Sequence, residues 1–529
     1  MATSLASPIS SERLRREEYR RERGFAALVV TALAFLTVLV HGYHPYAEDG
    51  GVYLPEIKRL VDPGLYPSGA EFVVGHLQHS FFAPMVAGLV RWSHVSVETM
   101  MLALYVVSFW ATLFAGWLLA ARCFASREAR WAAVALLAAW MTLPVAGTSL
   151  MLMDPYVTAR SLSTPCALLA LVGVLEFRLP QFEDEDGQRR WRGGVLCVAA
   201  LGCAGLMHPL MGAYGSGAAI LLGVTLSSSR FVRSWGAVGL GLTAVAIAAG
   251  LLLAAPSESE VYRRVVLTRS YWYLSEWQWY EWAGLAAPVI ILFIVARRRR
   301  RDEDPTRAGL ASMAVVAGLT ATVVALSFAR TGMGTHLVAR MQPLRVFQVV
   351  YVVMTLMVGG WVGERILRRQ TMRWVLMFSL LAGVMIVADR QTFPASRHLE
   401  LPWIPTQQNR FEEAFRWIEK NTPRDAVFAQ DADYITKPGE DAQSFRAIAE
   451  RSVLPDFSKD GGVVTNRPEL ANAWREGQEA QVGLDDLPDG ERVARLKPFG
   501  VTWVVLGHGA VTDFACAFAN EAVKVCRLP

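Results

Sequence analysis

The sequence predicts a mainly α-helical bundle that crosses a membrane about eleven times and ends in a small α/β domain outside it. Three observations carry this reading. Hydrophobic residues make up 53% of the 529-residue chain and charged residues 19%, against about 25% charged in soluble domains, and mean hydropathy is +0.29. The apolar residues fall into long runs that stop near residue 388, and arginine clusters occupy every second connection between those runs. A single soluble globule, a disordered chain and a small disulfide scaffold are excluded.

A bilayer core needs about 20 mainly apolar residues per helix. Such runs cover 25–40, 97–120, 131–151, 162–175, 194–207, 210–226, 237–254, 283–296, 310–327, 346–362 and 374–388. A further apolar stretch at 81–89 is too short to span and is expected at the interface or as a re-entrant segment. The run from 194 to 226 is too long for one crossing, and basic clusters at both ends require an even number. It must therefore turn near His208 and Pro209.

Basic clusters precede the first span (Arg13, Arg15, Arg16, Arg20, Arg21, Arg23). They recur between later pairs of spans, at Arg122, Arg127 and Arg130, at Arg189, Arg190 and Arg192, at Arg230 and Arg233, at Arg297 to Arg301, and at Arg365, Arg368, Arg369 and Arg373. The positive-inside rule makes these ends cytoplasmic. This gives a basic cytoplasmic segment over 1–24, a transmembrane domain over 25–390 with a first outer loop over 41–80, and an extracytoplasmic domain over 391–529. The expected location is a bacterial inner membrane. The first span lacks a small-residue cleavage site after it and reads as an uncleaved anchor. The net charge of +5 reflects this arginine pattern, and no nucleic-acid partner is implied.

Once oriented, the polar oddities collect on one side. The first outer loop holds His41, His44, Glu48, Asp49, Tyr53, Glu56, His76 and His79. Later outer loops hold Asp154, Tyr156 and Arg160, then His208, then Arg263, Arg264, Arg269 and the aromatic run 271–282, then His336, Arg340 and Arg345. Ionisable groups at membrane depth are costly and usually face a cavity. Arginines at span ends also snorkel to head groups, aromatic runs also form interfacial belts, and His208 also suits a helix cap. Glu183 to Asp186 and Asp302 to Asp304 lie beside arginines on the cytoplasmic side and read as solvated loop charges. Adjacent carboxylates such as Glu48 and Asp49 can share a proton, or let one act as a base while the other orients it.

The stretch from His44 to Leu54, His-Pro-Tyr-Ala-Glu-Asp-Gly-Gly-Val-Tyr-Leu, sits just after the first span. In this it resembles the acidic first-loop motif of the GT-C membrane glycosyltransferases. The resemblance covers the architecture of residues 1–390, and it is closer to the poorly characterised bacterial GT-C-like proteins. It implies a GT-C-like bundle that transfers a sugar from a polyprenyl-phosphate-linked donor to an acceptor on the outer face of the membrane. It also implies that Asp49, with Glu48 second, is the base that takes the acceptor's proton. Substrate contacts are then expected from His44, Tyr53, Arg160, His208, His336, Arg340 and Arg345. Arginine suits the departing phosphate because its planar fork binds bidentately. The partners are membrane lipid, a lipid-linked sugar and an acceptor of undetermined type. No cofactor is called for, with a divalent metal left open. Two other readings stand beside this one: a transporter or flippase for a lipid-linked sugar, and a non-catalytic scaffold whose outer domain binds a partner.

After residue 391 the pattern changes. Helices are expected at 411–421, 444–450, 468–479 and 491–497, and strands at 426–429 and 501–506. This alternation argues for a small α/β layer domain, read as a lid or an acceptor-binding module. Four of the six cysteines lie in or beside apolar runs, where cysteine behaves as a small hydrophobe. Cys516 and Cys526 are expected to pair if that end lies in an oxidising compartment.

Overall fold

The structure, a computed structural model, describes residues 8–75, 79–179, 188–298, 304–404 and 408–529. His76, Glu183 to Asp186, Arg299 to Asp302, and the side chains of Arg13, Arg15, Arg16, Arg20, Arg21, Arg189 and Arg298 lie outside that description.

Each of the eleven apolar runs carries a helix. They are Pro8–His41, Val97–Cys123, Arg127–Ala139, Ala159–Arg178, Gln188–Met207, Pro209–Thr225, Arg230–Ala254, Trp279–Arg298, Pro305–Phe328, Phe347–Val362 and Thr371–Thr392. Among the described residues, eight helices are long and apolar enough to cross a membrane. Arg127–Ala139, Gln188–Met207 and Pro209–Thr225 fall outside that set. The run at 131–151 is only partly helical. Its helix has 13 residues, about 20 Å of rise, and a loop follows in which Pro144 bridges to Met151. Pro144 has no N–H to continue a helix.

The hairpin near His208 forms as its sequence demands. His208 ends one short helix and caps the next, its Nδ1 accepting from the Met211 N–H at 3.4 Å. Small residues bring other helices close. Gly359 and Gly363 lie one turn apart, and a Cβ on either would stand 2.7 Å from Ala133 Cα and 2.6 Å from the Glu128 carbonyl oxygen. That is small-residue packing of membrane helices.

The two ends of the bundle differ. One end is laced by ion pairs between arginines and acids, among them Arg122–Glu176, Arg307–Asp304 and Arg369–Glu128. The other end carries the long polar loops and the C-terminal domain. The first of these loops contains two 12-residue helices, Gly50–Val61 and Phe82–Ser93.

The C-terminal domain is built on five strands, β1 (Val427–Ala429), β2 (Ser452–Val453), β3 (Trp503–Gly507), β4 (Cys516–Ala519) and β5 (Val523–Arg527), in the order β2-β1-β3-β5-β4. The first three strands run parallel, and β5 and β4 add antiparallel. Alternate strand residues serve two cores, as a pleated sheet requires. Phe428, Val505 and Val525 join the apolar cluster that continues into the bundle, whereas Val427, Val504 and Leu506 face a separate cluster with Leu484 and Leu496. Cys516 and Cys526 are disulfide-bonded across β4 and β5.

Candidate active site

The chain from Tyr43 to Gly51 is pinned on every side. The Tyr43 N–H donates to the His398 carbonyl at 2.9 Å, His44 N–H to the Pro155 carbonyl at 2.8 Å, and Glu48 N–H to the Ala442 carbonyl at 3.1 Å. Glu48 takes a φ of +46°, and Asp49 follows as the residue before helix Gly50–Val61, with no side-chain cap bond. Its carboxylate sits at the positive end of that helix. The two glycines are steric necessities. A Cβ on Gly50 would stand 2.5 Å from the Pro45 carbonyl oxygen, and one on Gly51 would stand 2.4 Å from Ser444 Cβ.

Asp49 opens into a cavity of about 580 Å³ between the long loops at one end of the bundle and the C-terminal domain. Glu48, Tyr53, Arg160, His208, Arg340 and Arg345 line the same cavity. Thus seven of the nine side chains singled out in the sequence come together there. Arg160 starts the helix Ala159–Arg178, whose N-terminus is closed by a capping box between Thr158 and Ser161. Arg340 ends the short helix Leu337–Arg340, and Arg345 lies in the 3-10 turn Pro343–Val346.

His44 and His336 are the two corrections, because neither lines the cavity. His44 is fully buried, bonded to Asp389 at 3.1 Å and Glu400 at 2.9 Å, and stacked on Phe393 with centroids 4.0 Å apart. Carboxylates from the last bundle helix and from the segment after it have captured it. His336 is held by Glu258, whose carboxylate accepts from both its ring and its backbone N–H at 2.7 Å. It fixes the loop that carries Arg340, one helical turn away.

The electrostatics are lopsided. Asp49 is 48% exposed, with Oδ2 3.8 Å from Arg160 Nη1. Arg160 also pairs with buried Asp154. Burial raises the pKa of Asp154 and outweighs the opposing pull of Arg160. Burial likewise raises Tyr53, assisted by the nearby Asp49 charge, so its phenol stays protonated. Arg345 makes no hydrogen bond or ion pair among the described residues, and its Nε is buried and unpartnered. Arg269 and Arg340 bond only to carbonyls and a tyrosine hydroxyl, and Lys459 only to carbonyls. Four basic side chains without a carboxylate partner thus share one cavity with two half-solvated acids.

Asp49 and Asp154 converge on the Arg160 guanidinium, which already supplies the cation between them. Among the described residues no three His, Cys, Asp or Glu side chains gather as a ligand set.

Lining residues not taken as candidates include His79, Arg269, Tyr271, Trp272 and Lys459. The aromatic run divides by face. Tyr271 and Trp272 line the cavity, whereas Trp279 and Tyr280 are exposed on the outside of the bundle, as an interfacial belt requires. A lone lysine in a soluble domain carries no sequence signal, but Arg269 in an outer loop did.

No family model matches the chain, and no curated protein is significantly similar to it. Among solved structures, the chain is similar to the oligosaccharyltransferase AglB of Archaeoglobus fulgidus in complex with an inhibitory peptide and a dolichol-phosphate. The identity is 12%, the match covers 92% of this chain and 69% of that one, and the TM-score is 0.46. It is also similar to the A. fulgidus oligosaccharyltransferase in complex with Zn and sulfate, at 13% identity, 90% and 68% coverage and a TM-score of 0.42. The same enzyme tethered to an acceptor peptide containing the NVT sequon matches at 13% identity, 91% and 69% coverage and a TM-score of 0.48.

Proposed function

We propose that the chain is a membrane glycosyltransferase that moves a sugar from a polyprenyl-phosphate-linked donor to an acceptor on the face that carries the C-terminal domain. The observation that carries this is the pairing of a half-exposed carboxylate, Asp49, with an unpartnered guanidinium, Arg345, in one cavity. Arg345 is half-buried with its Nε shielded and without a hydrogen bond; such a cation is costly to keep, and an anionic ligand lowers that cost. Phosphate fits the fork of Arg345 and its neighbour Arg160.

The chemistry then balances. The acceptor's nucleophile attacks the sugar's anomeric carbon as Asp49 takes its proton. The bond from that carbon to the phosphate oxygen breaks, and the lipid phosphate leaves with the electron pair. Arg345 and Arg160 meet the charge that develops on the leaving oxygen. Asp154 holds Arg160 from behind. Tyr271 and Trp272 offer aromatic surface to the sugar ring or the prenyl chain. A scaffold would bury Asp49 in a closed ion pair, whereas here its contact to Arg160 is long and the carboxylate is half-exposed to the cavity.

The test is sugar transfer in proteoliposomes supplied with a lipid-phosphate sugar and a membrane-derived acceptor pool. Wild type should release lipid phosphate in step with transferred sugar. An Asp49→Asn protein that transfers at the wild-type rate would refute the assignment.

A further inference from the structure

The side chain of Asp49 is aimed by backbone that the C-terminal domain holds. Glu48, the residue before it, has φ +46°, and the two residues facing it across the domain boundary, Asp441 and Ala442, have φ +60° and +57°. None is glycine, and such values are uncommon for other residues and persist only where neighbours enforce them. The enforcement is visible. Glu48 N–H donates to the Ala442 carbonyl at 3.1 Å, and Ser444 N–H donates to the Tyr46 carbonyl at 3.0 Å. Ala47 bridges antiparallel to Gln443. Ser444 Oγ donates to the Gly51 carbonyl at 3.0 Å. On the far side, the Asp441 carboxylate accepts from the N–H groups of Ala395 and Ser396.

One side chain ties the two strained strands together. The Lys459 ammonium donates to the Glu48 carbonyl and the Ala442 carbonyl, each at 3.1 Å. Lys459 is 8% exposed and opens the helix Lys459–Asn466, which forms one wall of the cavity. It has no carboxylate partner among the described residues, and its bonds go to backbone oxygens.

We propose that Lys459 is a positioning residue: it clamps Glu48 and Ala442 in their left-handed conformations, and the C-terminal domain thereby sets the direction of the Asp49 carboxylate. The catalytic half of this rests on Asp49 being the base for sugar transfer, whereas the clamp itself does not. On this view the domain is part of the active site and not a detachable lid.

The experiment compares full-length wild type, Lys459→Met and Lys459→Arg in nanodiscs, by amide hydrogen exchange and by transfer kinetics. Lys459→Met keeps the length of the side chain and removes its donors. Amides of 46–51 and 442–445 should exchange at least about tenfold faster in that variant, while those of the helix Ala159–Arg178 stay protected. Its kcat should fall about tenfold or more with KM for the donor unchanged, because the base is misdirected and the phosphate site is untouched. Lys459→Arg should recover part of both. In a Glu48→Gly background, where glycine adopts positive φ freely, the Lys459→Met change should cost less than it does in wild type. Unchanged exchange in Lys459→Met overturns the clamp, and a raised donor KM with unchanged kcat makes Lys459 a direct donor ligand instead. If Asp49→Asn keeps wild-type transfer, the glycosyltransferase reading falls, and the exchange data alone decide the clamp.

Discussion

His44 and Asp49 lie five residues apart in one loop, and the structure uses them in opposite ways. Around His44 the charges are matched. It stands between Asp389 and Glu400, all three of them buried, and a second histidine, His398, holds the other oxygen of Asp389 at 2.6 Å. Around Asp49 they are not. Basic side chains outnumber acids, and the carboxylate is open. A matched, buried cluster fixes a junction between domains, and an unmatched, exposed one has charge left over for a ligand. Residue type does not separate the two cases. Partner count and access do.

The sharpest way to break this contrast is to neutralise the open side. Asp49→Asn is expected to lower transfer about 10²–10⁴-fold, with thermal unfolding unchanged by scanning fluorimetry, because the lost carboxylate is half solvated. Arg345→Met should raise donor KM about 10–100-fold, the size of a charge-assisted contact. The same variant should melt at a higher temperature than wild type, since it removes a cation that lacks a partner. A lower melting point would show that Arg345 has a structural role.

On the sealed side the expected pattern reverses. His44→Gln leaves buried Glu400 without its cation and Asp389 with His398 alone. Breaking such an arrangement typically costs about 3–5 kcal/mol, so unfolding should shift strongly, while donor KM in the remaining folded protein holds. Burial opposes the charge on His44, but the hydrogen bonds and charges of Asp389 and Glu400 outweigh it and raise its pKa from 6.5 to about 9. A pKa higher in the folded state means stability that is complete below pH 6.5 and is lost as pH rises through 9. Burial raises Glu400 as well, so both groups hold a proton more tightly when folded and the sign is the same. Thermal midpoints measured from pH 6 to pH 10 should fall across that window, and in His44→Gln they should be flatter.

The smallest effect should come from the disulfide. Reducing the Cys516–Cys526 bond opens a loop of only about ten residues, worth roughly 2–3 kcal/mol in the chain-entropy account. The hairpin it closes is remote from the cavity, so transfer by the reduced protein should stay near wild type at moderate temperature.

Much of this was legible in the sequence because it is local or periodic. Apolar runs of about twenty residues and alternating arginine clusters placed a helix at each expected stretch. The Glu48–Asp49 pair and the arginines at span ends met in one cavity because topology sent them all to one side. What failed was long-range partnering. Nothing near His44 announces that acids 345 and 356 residues away will capture it, and His336 depends on Glu258, 78 residues back. The helix Gly50–Val61 was unreadable for another reason. It opens with two glycines and contains Pro55, which argue against a helix locally, and burial of Tyr53, Leu54 and Ile57 overrides them. Strand β2, two residues long, has too little sequence to carry a period.

The continuity of the C-terminal domain with the first outer loop also fixes when the molecule becomes competent. Asp49 leaves the ribosome 410 residues before Lys459. At about 5–20 residues per second that interval is roughly 20–80 s. Throughout it the acidic dipeptide has been made, but its proposed clamp, the 441–444 strap and the wall formed by Lys459–Asn466 have yet to be synthesised. A truncated or stalled chain would carry every membrane helix and the proposed base, yet present it without direction. The order of synthesis thus acts as a quality check, in which only a chain made nearly to its end gathers the groups for transfer.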